Sequence, residues 1–177
     1  MIETLISSKT RIKLLLKFFL NSNSKAYLRG LEQEFAESTN AIRVELNKFE
    51  EAGMLHSEKE GNRKVFTANV EHPLFSDIQN MLIKYVGIDQ IIEKVINRLG
   101  NISRVYLEGE LAKGLDAPVI DLILVSEKIN RIYLTQLINK IEPMIQRHIR
   151  YVVLTEEEEK SYLTSENKIT LLIWNAA

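Results

Sequence analysis

Apolar residues recur at helical spacing three times before residue 53. Ile12, Leu15, Leu16, Phe19 and Leu20 form the first stripe, with Ser7, Ser8 or Thr10 placed to cap it. The polar run Asn21–Ser24 predicts a loop. Leu28, Leu31 and Phe35 predict a second, shorter helix. The segment ESTNAIRVELNKFEEAG predicts a third, with Ser38 or Thr39 as its cap, Ile42, Leu46 and Phe49 as its buried face, and Gly53 at its end. In MLHSEKEGNRKVFTANV two extended runs flank a turn rich in glycine, asparagine and charge, which predicts a hairpin.

From His72 to Leu99 the helical period returns, divided at Gly87. The pattern then changes. Val105–Leu107, Ile120–Val125, Ile149–Leu154 and Lys168–Trp174 read as strands. Ile132–Ile145 reads as a helix interrupted or kinked at Pro143, and Glu156–Tyr162 as an acidic, solvated helix capped by Thr155. Three helices and a hairpin predict a winged helix-turn-helix over residues 1–71, and 72–87 reads as a linker helix. Alternating strands and helices predict a small α/β domain over 88–177. The fold expected is therefore a two-domain α+β and α/β chain.

Composition changes this picture little. Hydrophobic residues make up 45% and charged residues 27% of 177, as in ordinary globular chains. The net charge of −1 gives no global attraction to nucleic acid or an anionic membrane. With no cysteine, disulfides, thiol catalysis and thiolate metal sites are excluded. No apolar run reaches the roughly 18 residues of a membrane span, and the N-terminus lacks a cleavage signal, so a cytoplasmic location is expected.

The third predicted helix carries the first candidate chemistry. Opposite Ile42, Leu46 and Phe49 stand Thr39, Asn40, Arg43 and Asn47. Asparagine can pair with adenine and arginine with guanine in the major groove of duplex DNA. Asn62, Arg63 and Lys64, at the hairpin turn, would meet the backbone or minor groove. Against this, residues 1–71 hold 11 lysines and arginines and 10 acids, and Glu45, Glu50 and Glu51 share the helix.

The run KAYLRGLEQEF…STNAIRVELNKFEEAGML…EKEGNRKVFTANVEHPLF resembles the winged-helix domains of ArsR/MarR-type repressors, in the branch fused to a nucleotidyltransferase-like domain. Leu46, Phe49, Gly53 and Leu55 match core positions, and Asn69 with His72-Pro73-Leu74 matches the exit from the wing. The resemblance implies a DNA-binding regulator. Metal sensing is not expected, because His56, His72 and His148 lie far apart and no cysteine is present.

Within the second region, EGELAKGLDAPVIDLILV resembles the nucleotidyltransferase motif of the DNA polymerase β superfamily. That motif runs strand, Gly-Ser, helical turn, Gly, then a strand bearing Asp-x-Asp. The resemblance implies a triphosphate at the helix start and metal ions held by the paired aspartates. Gly109 and Gly114 match. Glu110 stands at the serine position, Val119 at the first aspartate and Asp121 at the second. Arg150 falls where a third acid would be expected. Asp121 then becomes a structural residue or an ion-pair partner, of Arg150 or of Lys113.

The reading is a DNA-binding transcriptional regulator with a catalytically inactive nucleotidyltransferase-like domain used for dimerisation or for a small-molecule or nucleotide effector. No catalytic residue, metal or cofactor is expected. The expected partners are double-stranded DNA and a second copy, joined through the apolar segment Pro73–Leu99, with no membrane. The alternatives are an active nucleotidyltransferase and a protein-interaction adaptor that does not bind DNA.

Overall fold

A computed structural model describes residues 2–165 and 168–176. The chain is mixed α/β with two separate sheets. It divides into two compact units, Met1–Tyr85 and Val86–Ala177. No helix among the described residues is long and apolar enough to cross a membrane.

The first unit opens with α1 (Ile2–Leu5) and α2 (Lys9–Leu15). Ser8 is the residue that caps α2, its hydroxyl accepting from the Arg11 amide at 3.2 Å. The helix continues as a π turn over Leu16–Leu20, which leaves backbone groups out of the regular ladder. Gln79 donates to the Phe19 carbonyl at 3.1 Å, and Phe18 and Phe19 are fully buried. After the loop come β1 (Ala26–Tyr27), α3 (Leu28–Phe35) and α4 (Thr39–Glu51). Ser38, rather than Thr39, caps α4 by accepting from the Ala41 amide. β2 (Leu55–Glu60) and β3 (Arg63–Ala68) form the expected hairpin around Gly61-Asn62. Asn69 fastens its exit, donating to the Gly53 carbonyl at 2.7 Å.

β1 was not legible as a strand. Its two residues are too few to show a period, yet they pair with β3 and make a three-stranded sheet of order β1-β3-β2. α5 (Phe75–Val86) closes the unit. Its Phe75 ring lies 5.4 Å from that of Phe19, and Leu82 is fully buried.

The second unit begins with α6 (Ile88–Ile91), a π turn over Ile92–Ile96, and α7 (Asn97–Leu99). Gly87 precedes them with φ +93°, and a Cβ there would stand 2.7 Å from Ile145 Cγ2, so conformation and space both require glycine. Then follow β4 (Arg104–Glu108), α8 (Gly109–Ala112), β5 (Val119–Val125), α9 (Arg131–Ile145), β6 (His148–Leu154), α10 (Glu156–Leu163) and β7 (Leu171–Asn175). The sheet order is β6-β5-β4-β7. β5 and β6 run parallel with α9 as their crossover, and the other pairs are antiparallel. Val105, Leu107, Ile120, Leu122 and Leu124 fill one side of the sheet with Leu134, Leu137, Ile138 and Ile141 of α9. Arg104, Tyr106 and Glu108 alternate onto the other side, where α10 meets them.

Three expectations for this unit need correction. Pro143 does not interrupt α9, which runs through it to Ile145; the proline gives up the one ladder bond its own amide would make, two residues before the helix ends. β7 starts at Leu171, because Lys168 turns toward Glu108 and the Tyr162 ring instead. The acidic helix α10 is not wholly a solvated face, since Glu159 is 5% exposed. Within the segment Pro73–Leu99, Leu82, Val86, Ile88, Ile91, Val95 and Ile96 are buried, Leu74 is exposed, and Phe75, Ile78, Met81, Ile83, Ile92 and Leu99 are half-buried.

Candidate functional site

α4 follows from its sequence. Ile42, Glu45, Leu46 and Phe49 fall on one side and are buried. At 100° per residue the opposite side holds Asn40, Val44, Asn47 and, in the last turn, Glu51, flanked by Arg43, and all five are exposed. Thr39 stands about a quarter turn away, half-buried at the first helical position.

Beside this face lies a groove of about 760 Å³ between α3, α4 and the hairpin turn. Of the residues picked from sequence it gathers Arg43, Asn47, Asn62, Arg63 and Lys64; Thr39 and Asn40 do not line it. It adds Tyr27, Arg29 and Gln33. The guanidinium of Arg63 lies 4.4 Å from the centre of the Tyr27 ring, a cation–π contact that fixes it against the groove wall. Arg29 and Gln33 could have been suspected as the outward positions between Leu28, Leu31 and Phe35. Tyr27 could not, because its place depends on the pairing of β1 with β3.

The even count of charges in this unit conceals an uneven arrangement. Glu34 pairs with Lys17 at 2.5 Å, Glu37 with Lys13 at 2.7 Å and Glu45 with Arg11 at 2.8 Å. Burial is the largest single influence on the Glu45 carboxyl and pushes it up, but Arg11, Lys48 and Ser8 together outweigh it and the net shift is down. Lys64 is also spent, donating to Glu50 at 2.6 Å, and this bond holds the Glu50 carboxyl below its usual range. Arg29, Arg43 and Arg63 have no carboxylate within ion-pair distance among the described residues. Glu51 and Glu58 are exposed but do not line the groove. Three guanidinium groups thus remain open to an outside anion.

In the second unit the strands place Glu108, Asp121 and Arg150 in one row, Glu108 opposite Asp121 and Asp121 opposite Arg150. Arg150 grips Asp121 with two bonds, 2.7 and 2.9 Å, which raise the guanidinium pKa further. Lys113 goes to Glu110 instead, at 2.8 Å. Glu108 accepts from the Tyr162 hydroxyl at 3.0 Å and faces Lys168 at 3.6 Å. Gly109 has φ +71°, and a Cβ there would lie 2.7 Å from Asp121 Oδ2. The turn that would admit a phosphate is therefore pressed against a carboxylate. Val119 shares the face of Asp121 but supplies no ligand. Gly114 is buried behind the turn. No group of three or more acids or histidines with metal-holding geometry occurs among the described residues.

Further along the same side of the sheet, Glu159 receives two bonds from Arg104, both 2.7 Å, and one from the Tyr106 hydroxyl at 2.6 Å. Arg104 holds the Glu159 carboxyl down, while burial and Glu159 push the Tyr106 phenol up. This cluster latches α10 to the sheet. The alternation Arg104, Tyr106, Glu108 in an otherwise apolar strand was its signal in the sequence.

No protein-family profile and no curated protein matches the chain. Solved structures that resemble it include AF1382 from Archaeoglobus fulgidus, 19% identical, with a TM-score of 0.38 over 52% of this chain and 98% of that one. Another is a Sulfolobus solfataricus protein provisionally described as a nucleotidyltransferase, 25% identical, with a TM-score of 0.38 over 56% of this chain and 87% of that one. A third, provisionally described as a transcriptional regulator for arsenical resistance, is 20% identical, with a TM-score of 0.31 over 53% of this chain and 90% of that one. Each likeness spans about half of the present chain, so none assigns a family or the joining of two domain types.

Proposed function

We propose that the first unit is a winged helix-turn-helix that reads duplex DNA, with α4 in the major groove and the β2–β3 turn as its wing. The observation that carries this reading is the set of guanidinium groups without an ion pair among the described residues, Arg29, Arg43 and Arg63, on one groove beside the polar face of α4. Such groups neutralise phosphates and release counterions. Asn40 and Asn47 on that face can pair with adenine, and Arg43 with guanine. Asn62 and Lys64 stand at the wing, but Lys64 must leave Glu50 before it can meet a phosphate.

The same proposal makes the second unit a nucleotidyltransferase-like domain without the chemistry. A two-metal transfer needs several carboxylates free to ligate. Here Asp121 is claimed by Arg150, Glu110 by Lys113, and Val119 offers nothing. The domain would then serve regulation, as a surface for a second copy or an effector. A homodimer rests on one argument, that two modules with few cations gain effective concentration by linkage.

Selection from a random duplex library, followed by fluorescence anisotropy, tests the reading. The protein should enrich a defined sequence, and Arg43→Ala should weaken binding to it by about 1–3 kcal/mol. No enrichment, with affinity unchanged by Arg43→Ala, would leave the adaptor reading in its place. Magnesium-dependent label transfer from a nucleoside triphosphate, abolished by Asp121→Asn, would overturn the silent second domain.

A further inference from the structure

Val44 lies outside the core that α4 builds. It is 42% exposed and stands at the middle of the outward side of α4, between Asn40 and Asn47. A β-branched residue is a poor helix former, and one left this exposed gains only part of its burial in return. Its neighbours at i−4, i−1 and i+3 are Asn40, Arg43 and Asn47, so an apolar spot interrupts a polar stripe. In the major groove one base edge is apolar, the C5-methyl of thymine, and the partner of that base is the adenine that asparagine reads.

Resting on the DNA reading above, we propose that Val44 is a specificity residue that packs on a thymine methyl, flanked by adenines read by Asn40 and Asn47. The target core then contains A·T pairs under the centre of α4, with the G·C pair displaced toward Arg43. The preference belongs to the middle of the helix, since Arg43 and Asn47 alone of these four residues also line the groove beside it.

Deoxyuridine differs from thymidine only by the missing methyl, which makes it the probe. The full chain is titrated by anisotropy against its selected duplex, with each thymine of the core replaced in turn by deoxyuridine, and the series is repeated with Val44→Ala. Alanine is the better helix former, so the variant should keep the fold. At one thymine the replacement should weaken wild-type binding about three- to fivefold, the scale of one buried methyl group, and should have no effect on Val44→Ala. Sequence-specific binding that tolerates every replacement, or a loss that persists in Val44→Ala, would overturn the role of Val44 while leaving the DNA reading in place. Absence of sequence-specific binding would overturn both.

Discussion

In the first unit Arg29, Arg43 and Arg63 line a groove without an ion pair among the described residues, Glu60 across the hairpin from Arg63 being turned to Lys25, whereas in the second Arg104, Arg147 and Arg150 meet Glu159, Asp116 and Asp121 at 2.7 to 2.8 Å. The two sets sit in chain segments of similar length and ordinary composition. Their difference lies in what each strand or helix puts opposite them. α4 turns Glu45 inward, to Arg11, so its outer side stays free of that acid. β5 and β6 place Asp121 and Arg150 in register, so each occupies the other. An arginine held in this way is part of the fold. One left open in a groove is available to a partner. Net charge registers neither condition.

The comparison can be broken first at the strongest internal pair. Glu159→Gln should cost about 2 kcal/mol of stability near neutral pH, because Arg104 loses a charged acceptor at a buried position. The Glu159 carboxyl is held below its ordinary value, chiefly by Arg104. Its contribution is therefore present above the usual glutamate range and lost as pH falls through the depressed value. Urea titrations across that window should show the wild type and Glu159→Gln converging on the acid side. Arg29→Ala and Arg43→Ala, measured the same way, should change stability by no more than about 0.5 kcal/mol, since neither residue holds an ion pair among the described residues. A loss from either variant as large as that from Glu159→Gln would erase the distinction between the two units.

Much of the fold was legible. The helical stripes around Ile12, Leu31 and Leu46, the hairpin at Gly61, and the strands at Val105, Ile120 and Ile149 all announce themselves by period and turn chemistry. What escaped depended on pairing across the chain. β1 is two residues long and exists only because β3 is beside it. Glu159 reads as one acid among four until Arg104 and Tyr106 come under it. Among the candidate site residues, Asp121 and Arg150 could be matched because strand order implies their register. The freedom of Arg29, Arg43 and Arg63 could not, since it depends on where Lys13, Lys17 and Arg11 lead the glutamates.

The central claim is that these guanidinium groups are held open for duplex DNA, Arg29 and Arg63 for phosphate and Arg43 for a base edge, and the salt dependence of binding tests it most directly. The logarithm of the association constant, plotted against the logarithm of salt concentration, should fall with a slope of about −2 or steeper. Arg29→Ala and Arg63→Ala should each flatten the slope by up to about 1, whereas Arg43→Ala should weaken binding to the selected sequence. A slope near zero, or one that neither Arg29→Ala nor Arg63→Ala changes, would contradict the account.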